Sequence, residues 1–186
     1  MKNLIKLMMG LALATAGLEA QAIAITPGDC SAFGGSISCV AGNNTNTSAI
    51  NSYIEMMYGV TYLYKSDVGG SDSQSFASSY DTVFSNTPLD PTDALITYVA
   101  GQSITCPDCY LLVKDGNQQP AWYLFDIGSW DGTEAISLSG FWPNQGAISH
   151  VAIYGNDSTN VPAPGPLALL TIGMVVLGVR QVKKAG

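Results

Sequence analysis

The chain has 186 residues, 47% of them hydrophobic and only 11% charged, with 7 basic residues against 14 acidic ones. Five of the basic residues, but only Glu19 among the acids, lie in the two terminal segments, so the body keeps Lys65 and Lys114 against 13 carboxylates, a net charge of −11. A surface of that sign repels phosphate backbones and excludes nucleic acid as a partner. Its acidity would suit a divalent cation such as calcium. No Asp-x-Asp-x-Asp-Gly loop is present, however, so no cofactor is expected.

In chain order, Lys2 and Lys6 precede an apolar run over residues 7–18, and two small-residue frames follow, Ala20-Gln21-Ala22 and Ala22-Ile23-Ala24. This is the layout of a secretory signal, placed at residues 1–24, with cleavage by signal peptidase after Ala22 or Ala24. The run is too short for a permanent span. Residues 25–160 then make up about 136 residues, the size of one ordinary domain.

Four cysteines, Cys30, Cys39, Cys106 and Cys109, form an even set in a chain read as exported, where disulfides persist. Three pairings are open, and local pairing, Cys30 with Cys39 and Cys106 with Cys109, is preferred. Cys106-Pro107-Asp108-Cys109 has the spacing of a thiol oxidoreductase. That motif works at a helix start, whereas the residues after it here read as a strand. A zinc site needs more ligands than the single histidine, His150, supplies.

One helix is predicted over residues 47–58, with Ile50, Ile54, Met57 and Tyr58 on one side, serine or threonine at 47–48 as its cap and Gly59 at its end. Eight short β-rich runs are predicted at 36–41, 60–65, 76–84, 95–100, 110–114, 121–127, 134–140 and 147–154. Residues 66–75 and 86–91 read as loops, the first of them mobile. Asp115-Gly116 and Asp131-Gly132 mark reversals that tolerate positive φ. The fold class is therefore mainly β: a two-sheet β-sandwich, jelly-roll-like, with one short helix near the start of the mature domain.

Chemistry is sparse. No G-x-S-x-G elbow is present, and His150 alternates within an apolar strand, so it reads as structural. Asp126, Asp131 and Glu134 would be the carboxylates of a secreted glycoside hydrolase, but acids cluster around turns for ordinary reasons. No catalytic residues are assigned, and the protein is read as a non-enzyme. Aromatics are the better lead. Trp122, Trp130 and Trp142 fall close together, with Asn117, Gln118, Gln119, Asn144 and Gln145 nearby to bond hydroxyls. Stacked rings and amides suit a sugar. Trp122, Trp130, Trp142 and Asn144 are the candidate glycan contacts, with Trp130, beside its Asp-Gly turn, expected to be the exposed ring. For Trp122 and Trp142 the preferred reading is that they are core residues.

The last segment, 161–186, has three parts in order. Val161, Pro162, Ala163 and Pro164 open a proline-rich break that no helix or strand can cross. An uncharged run over 167–179 follows, and then a basic tip, 180–184, carrying Arg180, Lys183 and Lys184. Cationic residues after an apolar run hold that end on the cytoplasmic side.

This tail resembles the PEP-CTERM sorting signal of Gram-negative bacteria, in which a Pro-Glu-Pro box precedes a short transmembrane segment and a basic end. Alanine stands here in the place of the glutamate. The resemblance implies a transmembrane helix at 167–179, processing by an exosortase-type enzyme, transient anchoring in the inner membrane, and delivery to the cell surface or extracellular matrix. Residues 106–155 carry a second resemblance, to a region shared by small exported proteins with such tails: Tyr-Leu-Leu-Val-Lys-Asp-Gly-Asn, Trp-Asp-Gly-Thr and Phe-Trp-Pro-Asn-Gln-Gly-Ala-Ile-Ser-His. It implies an extracytoplasmic β-domain and no particular activity. The expected role is a non-catalytic component of the envelope or matrix, associated with exopolysaccharide. A glycan-binding module is the alternative.

Overall fold

The computed structural model describes residues 22–30, 38–86, 90–144 and 146–156. The strands are β1 (Ile23–Ile25), β2 (Cys39–Gly42), β3 (Thr61–Asp67), β4 (Tyr80–Ser85), β5 (Asp93–Tyr98), β6 (Tyr110–Asp115), β7 (Trp122–Asp126), β8 (Ile136–Leu138) and β9 (Ile148–Gly155), with the helix α1 (Thr47–Tyr58) between β2 and β3. They form two sheets, one ordered β1-β8-β5-β4 and the other β2-β7-β6-β9-β3.

The sheets share one core. Leu111, Val113, Phe125, Val151 and Ile153 of the five-stranded sheet meet Ile25, Ile96, Ile136 and Leu138 of the four-stranded sheet, all buried. On its other face the five-stranded sheet presents Leu112, Leu124, Ala152 and Tyr154 to Ile50 and Ile54 of α1. Its central strands are thus covered on both sides. That explains why Tyr110-Leu111-Leu112-Val113 shows no alternation, since alternation marks a strand with one wet face. At about 25 cal/mol per Å² of apolar surface, each fully buried leucine or isoleucine here contributes about 1.5–3 kcal/mol.

Several expectations are corrected by the structure. β1 is a ninth strand, not among the eight expected, lying across the boundary at residue 24; it pairs parallel with β8, Ile23 opposite Ile136 and Ile25 opposite Leu138. This parallel pair, with the β4–β5 and β6–β7 hairpins each inside one sheet, departs from an antiparallel jelly roll. The helix has its expected bounds, but Asn46 caps it, its Oδ1 accepting from the Ala49 amide at 3.1 Å. Gly59 ends it at φ 66°, donating to the Glu55 carbonyl. Met57 lies outside, 59% exposed, because the buried stripe is only as wide as Ile50 and Ile54 require.

Residues 66–75 return to β3, where Lys65 and Ser73 exchange backbone hydrogen bonds of 3.1 and 2.9 Å. The run expected to be a strand from 76 begins only at Tyr80, because Ser79 N–H turns back to the Phe76 carbonyl. Both cysteine pairs, Cys30–Cys39 and Cys106–Cys109, sit at disulfide distance, with Cα separations of 4.9 and 5.2 Å. Among the described residues no helix is long and apolar enough to cross a membrane; the proposed span at 167–179 and the rest of the tail lie outside them.

The Trp130–Glu134 turn shows why glycine is needed at 132. Asp131 Oδ1 accepts from the Glu134 and Thr133 amides, both at 2.7 Å, which holds its carboxyl below the usual range. Gly132 has φ 82°, and a Cβ there would run into the Ile104 carbonyl. Gly140 also has positive φ, 71°, but faces open space. Gly132→Ala should therefore cost more than the roughly 1–3 kcal/mol of left-handed strain alone, while Gly140→Ala should cost only that strain. Denaturant unfolding of both variants checks this; equal losses would contradict it.

Candidate functional site

Several of the predicted residues gather in a groove of about 750 Å³ at one end of the five-stranded sheet. Its walls come from the β6–β7 loop, the segment leading into β9, and Asp90 and Thr92 ahead of β5. Asp115 builds it. The side chain is buried, with Oδ1 accepting from the Asn117 and Gln118 amides and Oδ2 from the Ala147 amide at 2.7 Å, across 32 residues of sequence. A carboxylate that accepts several amides fixes the loops it joins. The reversal at Asp115-Gly116 rests on this bonding, for Gly116 is not among the residues with positive φ. Further straps run from Phe141 N–H to the Thr92 carbonyl and from Ile148 N–H to the Pro91 carbonyl.

Asn117, Gln118, Asn144 and Trp142 all line this groove. Asn117 and Asn144 are exposed. Trp142 is a floor residue, 8% exposed, with its indole N–H donating to the Pro120 carbonyl at 2.8 Å. Gln119 is outside the groove lining and Gln145 lies outside the described residues. The three tryptophans do not form one surface. Trp130, expected to be exposed, is 2% exposed; its indole N–H donates to the Glu134 carbonyl at 2.7 Å and its ring packs 5.7 Å from Tyr80 in the intersheet core. Trp122 lies on the helix side, in an apolar slot of about 260 Å³ with Val40, Tyr53 and Ile50. Its indole N–H has no hydrogen-bond partner, and Gly42 lies against the ring so closely that a Cβ there would clash. An exposed aromatic platform made from Trp130 is therefore absent.

Two of the three carboxylates weighed for hydrolysis, Asp126 and Asp131, serve turns. Asp126 accepts from the Gly128 amide at 2.9 Å, and Asp131 from its own loop as above. Among the described residues no group of three His, Cys, Asp or Glu side chains could hold a metal ion. Sequence reading overlooked Tyr80, whose buried hydroxyl accepts from the Ile104 amide and donates to the Gly132 carbonyl, both at 2.7 Å. A tyrosine in a strand gives no local sign of such a bridge.

His150 stands on the helix-side face of the five-stranded sheet, opposite Asp67 on β3 and Lys114 on β6. It is 4% exposed, 4.0 Å from Asp67 Oδ1, and its Nε2 has no partner. Asp67 is engaged by Lys65 at 2.6 Å, and Lys114 Nζ donates to the Asp115 carbonyl. Burial first, then the Lys65 cation, pushes the imidazole down to about pKa 4, with Asp67 opposing and Lys114 reinforcing. Burial likewise lowers Lys114. The adjacent Ser149 hydroxyl donates to the Lys114 carbonyl at 2.9 Å, so it is committed to the backbone. The arrangement is that of a neutral structural histidine.

No protein-family model, curated protein or solved structure matches the chain.

Because the folded imidazole binds its proton only near pH 4 and the unfolded one near pH 6.5, the unfolded state takes up more protons between those values. Stability should be full above pH 6.5 and fall by about 2–3 kcal/mol as pH drops to 4, at 1.36 kcal/mol per unit. His150→Gln should flatten the profile over that window relative to the parent. Parallel profiles in chemical denaturation would contradict the assignment.

Proposed function

We propose that this chain is a non-catalytic component of a Gram-negative cell envelope or extracellular matrix, exported through residues 1–24 and sorted through 161–186. Signal peptidase would process one end. At the other, an exosortase-type enzyme would act on a helix at 167–179 that holds the protein transiently in the inner membrane before its delivery to the cell surface or matrix. One observation carries this reading: two cysteine pairs at disulfide distance, in a body of net charge −11, lie between an apolar leader and an apolar, basic-ended tail. Disulfides persist in oxidising compartments, which both terminal segments lead to. An acidic, polar-looped β-domain also fits a hydrated matrix, where self-repulsion keeps it soluble.

Removal of 161–186 should abolish surface or matrix retention and release the domain to the periplasm or medium. Fractionation with an antibody to the domain checks this, and unchanged location after the deletion would contradict the sorting role.

A second reading, glycan binding, is favoured by the groove alone. It is lined by exposed Asn117 and Asn144, by Gln118 and by Trp142, a combination able to bond hydroxyls along a sugar chain. Asn117→Ala with Asn144→Ala should weaken binding to the host's own exopolysaccharide about tenfold, at about 1 kcal/mol or less for each hydrogen bond lost. Equal retention of parent and variant on immobilised polysaccharide would remove this reading and leave the sorting role standing.

A further inference from the structure

Two cleavage frames overlap at the N-terminus, and the fold distinguishes them. After Ala22 the mature chain would begin at Ile23; after Ala24 it would begin at Ile25. Ile23–Ile25 is β1, the outermost strand of the four-stranded sheet. Ile23 N–H donates to the Ala135 carbonyl at 2.8 Å, and the Ile25 carbonyl accepts from Ser139 N–H at 3.1 Å. The Ile25 side chain lies in the shared core at 0% exposure, and Ile23, half-buried, packs against the same cluster. Ala22 and Ala24 are exposed.

We infer that the scissile bond is Ala22–Ile23, and that cutting it releases a strand the domain needs. The inference rests on reading residues 1–24 as an export signal. A water molecule supplies the atoms: the bond between the Ala22 carbonyl carbon and the Ile23 nitrogen breaks, Ala22 leaves as a carboxylate on the signal, and Ile23 becomes an α-ammonium. That ammonium still donates to the Ala135 carbonyl, and because Ile23 is only half-buried at a sheet edge its remaining protons meet water. Cleavage after Ala24 has no such outcome. It would put a new charge on a residue that is wholly enclosed, and a buried unpaired charge is strongly disfavoured. Ile25 would have to leave the core, and the Ala135 carbonyl would lose its donor. β8, only three residues long, would then become the edge of the sheet, paired with β5 alone.

The full chain, expressed with its own secretion machinery, is recovered from the exported fraction and its N-terminus determined by sequencing and intact mass. Ile23 as the first residue supports the inference. Ile25 as the first residue overturns it while leaving the export reading intact. Retention of residues 1–22 on a cytoplasmic protein overturns the export reading instead. Two variants separate the frames independently of folding. Ala20→Leu spoils only the frame ending at Ala22, and should raise the precursor-to-mature ratio at least fivefold in a pulse-chase. Ala24→Thr spoils only the other frame, keeps a strand-compatible residue on the exposed side of β1, and should leave the ratio unchanged. The reverse pattern overturns the inference.

Discussion

The five-stranded sheet is buried on both faces, and the rest of the molecule is arranged around that fact. Leu111 and Val113 on β6, with Val151 and Ile153 on β9, point to the second sheet, while Leu112, Ala152 and Tyr154 point to α1. A strand with two apolar faces has no soluble state of its own. It therefore requires a cover on each side, and the domain supplies a four-stranded sheet on one and a single helix on the other. The short strands β1 and β8 and the capped ends of α1 make sense as parts of those covers.

Tethering of loops follows from the same layering. Where strands leave a closed core, their connections must find partners for backbone groups. Asp115 does this at one end by accepting three amides; Tyr80, bridging Ile104 and Gly132, does it within the core. The groove beside Asp115 is thus a product of structural bonding, with its amides left facing water. Residues that looked chemical in isolation, Asp126 and Asp131, are occupied in closing turns.

Much of this was legible in the sequence because the signals were local. Ile50, Ile54 and Gly59 marked the helix, and the β-rich runs marked eight strands. Both cysteine pairs could be favoured from their spacing alone. Most of the failures share a cause: each needed a partner distant in sequence. Ile23-Ala24-Ile25 looks like the end of a leader until Ile136 and Leu138 are set beside it. Trp130 looks exposed beside Asp131-Gly132 until Tyr80 and the Glu134 carbonyl enclose it. The groove depends on one carboxylate reaching Ala147 from Asp115, which no spacing announces. Asn46 was passed over as a cap because Thr47 and Ser48, equally good cap residues, stand next to it.

Amide hydrogen exchange of the folded domain tests the two-sided burial of this sheet most directly, because exchange reports local opening strand by strand. The slowest amides should be those of β6 and β9, exchanging only through global unfolding, with β1 and the ends of α1 opening far more readily. Protection centred instead on the four-stranded sheet, with β6 and β9 exchanging as fast as the edge strands, would contradict the account.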